Sequence, residues 1–387
     1  MGRKLGLVLA GGGARGAFEV GALAWLAEHR PDLLEQVKVV TGTSVGAVNA
    51  AFLVSRGLTP HAVEELEALW LGLRLDGVIR MTRRRLASIA FKLGRPLLGS
   101  REQPALGLFD TGPYEKLITE SVDWDQLHRN ISNGRFDALA LAATEISSGC
   151  THVFVEQRDP AALPRWADDP WTVGVSARLG PAHVLASTSL PILFSPVKVG
   201  QHWYSDGGLR HNVPLSPALR LGADALIAVS LGRSRPPDLP VPDVFPGMLQ
   251  LIGKLLNSIF LTRMRWDLDR LNRLNAVLEG GSVLYGPEFI PRLQDEMRRR
   301  GRRPYQVVKY VGIRPHVDIG VVANDVLKNH KAVSHLGRLI SRFLRGDGRQ
   351  ADLASYLLFD GGFARELIRI GRESAASVAD ELDGLLK

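Results

Sequence analysis

The chain is poor in several things that would have narrowed its function. It has one cysteine, Cys150, in 387 residues. A single thiol excludes an intramolecular disulfide, so nothing ties the fold to an oxidising compartment. No window approaches the ~18 uninterrupted apolar residues of a membrane span. The opening MGRKLGLVLAGGG has the positive start of a signal peptide, but its apolar part covers only Leu5 to Ala10. It then becomes a glycine turn that cleavage would destroy, so no leader is expected. Aromatic residues make up 7%, and no aromatic platform or helix-turn-helix signature accompanies the basic runs, which argues against a nucleic-acid module. An acidic cluster able to hold calcium is also missing. Neither a metal nor a cofactor is therefore expected.

What the chain has is ordinary globular composition, 45% hydrophobic and 23% charged, with ample apolar material for a large core. The formal charge is +8. That excess is concentrated in Arg80 to Arg85 (RMTRRR), followed by an amphipathic stretch with Ile89, Phe91, Lys92 and Leu93, and in Asp295 to Arg303 (DEMRRRGRR). Such segments suit an anionic membrane surface as well as a solvated face. The expectation is a cytoplasmic protein, peripherally associated with membranes. Nothing in the sequence sets the oligomeric state.

Two glycine-rich strand-to-helix turns open the chain. The first is LVLAGGGARGAF. About thirty residues later, VVTGTSVGAVNA contains the pentapeptide Gly42-Thr43-Ser44-Val45-Gly46. G-x-S-x-G places a serine where a strand reverses sharply into a helix, which lifts its hydroxyl out of the sheet. Backbone N–H groups of Gly11, Gly12, Gly13 and Ala14 are available for an oxyanion, because glycines allow close approach. Together the turns imply a serine hydrolase. Gly11, Gly13 and Gly16 also fit the dinucleotide fingerprint G-x-G-x-x-G. That reading requires an acidic residue at the tip of the next strand. Here the strand from Val37 ends in Gly42-Thr43-Ser44, while Asp32 and Glu35 precede it.

A third segment, ASTSLPILFSPVKVGQHWYSDGGLRHNVP at 186–214, sets Asp206-Gly207-Gly208 directly after an aromatic strand. A carboxylate on a tight glycine turn at a strand end is placed to meet a serine at the same sheet edge. With this piece the chain resembles the patatin-like phospholipase family, lipid acyl hydrolases with a Ser-Asp dyad. The resemblance rests on G-G-G-x-R-G (Gly11 to Gly16), G-T-S-x-G (Gly42 to Gly46), A-S-x-x-x-P-x-x-F-x-P (Ala186 to Pro196) and D-G-G-x-x-x-N-x-P (Asp206 to Pro214). It implies Ser44 as nucleophile, Asp206 as its base and Gly11, Gly12, Gly13 and Ala14 as the oxyanion loop. Arg15 becomes a positive group near a phosphate or the oxyanion, with Gly16, Gly42, Gly46, Gly207 and Gly208 as supporting turns. Lipid or phospholipid is the implied substrate.

A Ser-Asp-His triad is the competing arrangement, since His316, His330 and His335 lie downstream of Asp206 and His211 lies beside it. The early place of Ser44, on the second strand, weakens it. A non-catalytic lipid-binding protein of the same fold is the other alternative. Asp360-Gly361-Gly362 repeats the D-G-G string, but between Ala351–Leu358 and Phe363–Ile370 it reads as a helix–helix turn with a left-handed glycine.

Strands alternating with helices predict a three-layer α/β/α fold around a parallel-rich sheet, with the site at the C-terminal strand edges. Residues 4–232 form the expected catalytic core, with 74–109 as a candidate lid or interfacial insertion. Residues 233–387 are expected to be mostly helical, packed on the core, with one returning strand near 305–313. Thr59-Pro60 predicts a capped helix through about Leu73. Ala138–Thr144, His152–Gln157 and Ala223–Leu231 read as strands, Thr111–Val122 and Ala182–Ser187 as helices. Met248–Leu278 carries apolar residues at helical spacing.

Overall fold

The computed structural model describes residues 4–80, 107–164, 166, 169–209, 215–233, 248–261, 263–329 and 351–385. Arg83 to Arg85 and Lys92, most of the 74–109 segment, His211, His330 and His335 lie outside the described residues.

Nine strands among the described residues make one sheet: β1 (Leu5–Leu9), β2 (Val37–Thr43), β3 (Ala138–Glu145), β4 (Thr151–Gln157), β5 (Thr172–Ser176), β6 (Val197–Val199), β7 (His202–Asp206), β8 (Ala225–Val229) and β9 (Lys309–Ile313). The main path runs β5-β4-β3-β2-β1-β8-β9, with β7 on β3 and β6 on β7. Strands β3, β2, β1, β8 and β9 are parallel to one another. β4 and β7 run antiparallel to β3. Strands β1, β3 and β8 are buried along their whole length, which is why they read as continuous apolar runs rather than alternating ones. Helices flank the sheet, giving the expected three-layer α/β/α arrangement with a C-terminal helical part.

Local signals act where they were read. Thr59 caps Pro60–Leu71 by accepting from the Ala62 N–H at 3.2 Å. The Ala182 helix spans Pro181–Thr188, and the returning strand β9 joins the sheet edge beside β8. The apolar stripe after Met248 is two helices, Met248–Leu261 and Arg263–Tyr285. No helix among the described residues is long and apolar enough to cross a membrane.

The helix Gly361–Ala376 lies directly on Ala17–His29. A Cβ on Gly21 would strike the Ile368 backbone, and one on Gly371 would strike Phe18. The glycine pair therefore lets the two helix backbones touch and binds the end of the chain to its beginning.

One expected turn is corrected. Asp360 is the N-cap of Gly361–Ala376, accepting from the Gly362 N–H at 2.8 Å. The D-G-G string there starts a helix with a capping carboxylate and uses no left-handed glycine. β5, β6 and the helix Trp124–Ser132 were not anticipated.

Candidate active site

The site is built where β3 outruns β2. The last β2–β3 pair is Thr43 with Ala142. One residue further along β3, Ala143 pairs with Asp206 of the antiparallel β7. Strand β7 thus occupies the edge that β2 vacates, and the residue after Thr43 meets the last residue of β7. Ser44 and Asp206 are 162 positions apart in sequence, yet Ser44 Oγ donates to Asp206 Oδ2 at 2.6 Å.

Ser44 sits at φ 53°, ψ −127°, a strained conformation for a residue with a side chain. Its neighbours hold it there. A Cβ on Gly46 would lie 2.5 Å from the Leu9 carbonyl oxygen, so only glycine lets the helix Val45–Arg56 start against the end of β1. Gly42 meets the backbone of Gly46 and Ala47 in the same way. The Ser44 N–H donates to Ser187 Oγ at 2.9 Å, and that hydroxyl donates to the Ala142 carbonyl at 2.6 Å. Ser187 therefore ties the serine turn to β3. Its place in the Ala186-Ser187 pair was visible in the sequence, but no role was read from it.

Asp206 is fully buried. Its Oδ1 accepts from the Gly208 N–H at 2.8 Å, and its backbone carbonyl accepts from Thr144 Oγ1 at 3.0 Å. Gly207 permits the turn to press on β3, since a Cβ there would strike the Ala142 carbonyl. Burial raises the Asp206 carboxyl from 3.8 to about 7, against the opposing hydrogen bonds from Ser44 and Gly208. A carboxyl of that basicity exchanges its proton near neutral pH.

The glycine loop lies next to this pair. Gly11, Gly12, Gly13 and Ala14 are buried, Gly13 to Gly16 form a short 3₁₀ turn, and Gly13 has φ 58°. Gly13 and Ser44 line one cavity together with Val45, Tyr114, Thr188 and Phe194. It measures about 10 Å³, room for about one water. Tyr114, Phe194, Tyr356 and Phe359 complete its apolar wall; Phe194 entered the sequence reading only as the F of A-S-x-x-x-P-x-x-F-x-P, and the other three were not singled out.

Arg15 has partners other than those anticipated. The guanidinium is buried, with Nε donating to Ser355 Oγ at 2.8 Å and Nη2 to Asn257 Oδ1 at 3.0 Å. It stacks over the Tyr356 ring at 4.1 Å and faces Asp352 at 3.8 Å. These groups belong to Met248–Leu261 and Asp352–Leu357. Arg15 joins the glycine loop to the C-terminal helices.

Behind the loop, Glu19 is wholly buried. Its Oε2 accepts from Asn49 Nδ2 at 2.8 Å, Asn49 also reaches the Gly16 carbonyl at 3.3 Å, and Trp70 Nε1 donates to Asn49 Oδ1 at 3.0 Å. Burial pushes the Glu19 carboxyl up to about 8.

Among the described residues no histidine hydrogen-bonds Ser44 or Asp206. His316 instead meets Ser374 at 3.2 Å and Glu373 at 3.7 Å.

Solved structures similar to the chain include VipD from Legionella pneumophila (13% identity, 95% of this chain and 67% of that chain, TM-score 0.34). Another is ExoU with SpcU from Pseudomonas aeruginosa (16%, 92% and 75%, TM-score 0.31). A third is human GIVD cytosolic phospholipase A2 in complex with methyl gamma-linolenyl fluorophosphonate (12%, 99% and 59%, TM-score 0.37). Scores this low carry no argument, and the chain spans only 59% of the human one. No curated protein matches. The model of the patatin-like phospholipase family, however, matches residues 7–219, more than half of the chain, from within β1 through Ser44 to beyond Asp206. The chain belongs to the patatin-like phospholipase family.

Proposed function

We propose that this chain hydrolyses acyl esters of lipids through an acyl-Ser44 intermediate, with Asp206 as proton acceptor. Family membership supports the lipid acyl hydrolase class. The observation that carries the assignment of residues is the buried 2.6 Å hydrogen bond from Ser44 Oγ to Asp206 Oδ2 at a strained strand–helix turn.

Ser44 Oγ attacks the ester carbonyl carbon as its proton passes to Asp206, which supplies the adjacent base that a hydroxyl nucleophile needs. Negative charge then develops on the carbonyl oxygen. The Ser44 N–H is committed to Ser187, so that oxygen is met by the loop Gly11 to Ala14 and by the N–H of Val45 at the helix start. The positive end of the helix Val45–Arg56 adds to them. Collapse of the tetrahedral intermediate expels the alkoxide, which takes the proton back from Asp206. Water then attacks the acyl-serine while Asp206 accepts its proton. That proton returns to Ser44 Oγ as the carboxylic acid leaves.

Ser44→Ala, checked for native circular dichroism, should abolish both turnover of a p-nitrophenyl ester and covalent labelling by a fluorophosphonate. Undiminished labelling of that variant would remove Ser44 from the mechanism.

A further inference from the structure

The cavity at Ser44, about 10 Å³, is too small for any acyl chain. Beyond one of its walls lies a second space of about 440 Å³, lined by apolar Ile146, Pro191, Ile192, Phe194, Pro196 and Leu209. That size is within the range of sites that take organic ligands. Among the described residues Phe194 alone lines both spaces. Thr144 and Ser205, which also line the groove, pair across β3 and β7 one position from Asp206. The groove and the nucleophile are therefore two compartments of one strand edge, separated by a phenyl ring.

Two features give the groove an apolar mouth. Ile146 is 47% and Ile192 85% exposed, and an open apolar recess of this kind points to a ligand. Ile192 also has φ 71°, a left-handed conformation that a β-branched residue rarely adopts. The surrounding chain enforces it, because Leu108 N–H donates to the Ile192 carbonyl, Phe109 N–H to that of Leu193 and Phe194 N–H to that of Leu190, at 2.9, 2.9 and 2.8 Å. The charge of the lining selects the occupant. Its one ionisable group among the described residues is Glu145, whose carboxylate accepts from Ser147 and Ser148 at 3.1 and 2.6 Å. Among the described residues of the lining, a phosphate headgroup would face that carboxylate with no lysine or arginine beside it.

We propose that this groove holds the acyl chain of the substrate and that Phe194 is the gate through which the chain reaches Ser44. The proposal rests on the ester-hydrolase reading above. Chain-length preference is then set by Phe194 together with Ile146 and Ile192, of which the two isoleucines lie outside the Ser44 cavity.

The test compares kcat/KM for p-nitrophenyl butyrate and palmitate in the full-length protein, in Ile146→Asp and Ile192→Asp at the mouth, and in Phe194→Ala. A carboxylate at the mouth should lower the palmitate-to-butyrate ratio about tenfold or more, whereas Phe194→Ala should raise it. A purely structural role would lower both substrates together, and thermal melts identify a variant that has failed to fold. Serine-dependent turnover with the ratio unmoved in all three variants overturns the groove assignment and leaves the hydrolase standing. So does a wild-type protein that turns over butyrate and not palmitate. Turnover of phospholipids that changes with headgroup and not with acyl length would give the groove to the headgroup instead. Absence of any Ser44-dependent turnover defeats the hydrolase reading, and this proposal with it.

Discussion

On the proposed mechanism, Asp206 is the residue on which pH dependence turns. Its buried carboxyl titrates at about 7, so the fraction able to accept the Ser44 proton rises with pH through that value. Turnover of a soluble ester should therefore climb about tenfold per pH unit below 7 and level off above it; a flat profile from pH 5 to 8 would count against Asp206 as base. The same shift has a stability consequence. A carboxyl whose folded pKa is raised makes the folded state bind more protons than the unfolded chain between roughly 4 and 7, so stability falls as pH rises across that window. Asp206→Asn should lose on the order of 10³-fold in turnover and yet melt higher than wild type at pH 8. The ceiling on that gain is about 4 kcal/mol for a carboxyl moved from 3.8 to about 7. Glu19, raised from 4.5 to about 8, follows the same sign without the chemistry. Glu19→Gln keeps an acceptor for Asn49 and should gain stability over wild type progressively from pH 5 to 8, as melts across pH will show. A gap independent of pH would mean that Glu19 is ionised in the fold.

At the scale of elements, the site depends on β3 extending past β2 so that β7 can enter beside it. Ser187 joins this arrangement to the serine turn. Ser187→Ala would leave the buried Ser44 N–H without its acceptor, at a cost of about 1–3 kcal/mol, and should reduce kcat far more than it changes KM. A variant with wild-type kcat would show that the turn holds itself. These elements differed in how far they could be read from sequence. β1 and β2 were legible because each couples an apolar run to a glycine turn, and β7 because an aromatic strand ends in Asp-Gly-Gly. β5 and β6 were not. They are five and three residues long and are half exposed, so they lack the apolar run that marks a buried strand. The helix Trp124–Ser132 buries only Leu127 and Ile131 and gave too thin a stripe. Asp360 was read as part of a helix–helix turn with a left-handed glycine, and only the hydrogen bonds from Gly362 and Phe363 show that its carboxylate caps the following helix instead.

Across the whole molecule the end of the chain completes the beginning, and no local signal records it. The resemblance implied Arg15 as a positive group near a phosphate or the oxyanion, and its partners are Asn257, Asp352, Ser355 and Tyr356, more than 240 positions away. Gly13 abuts the Tyr356 backbone, while Tyr356 and Phe359 help wall the Ser44 cavity. The glycine loop is thus held from the C-terminal side. Arg15→Met keeps most of the bulk and removes the charge, which takes the donated hydrogen bonds from Ser355 Oγ and Asn257 Oδ1, while Asp352 keeps Lys254 at 2.7 Å and Asn257 keeps the Tyr356 hydroxyl at 2.9 Å. Losing a buried hydrogen bond from a charged donor costs about 1.5–3 kcal/mol. The expected result is a markedly lower melting temperature, with activity falling by the same factor on a neutral p-nitrophenyl ester and on a phospholipid, because the loop that meets the oxyanion loosens for both. If Arg15 instead bound a substrate phosphate, the melt would stay near wild type and KM would rise for the phospholipid alone. Measuring both substrates alongside the melt separates the two roles in one variant.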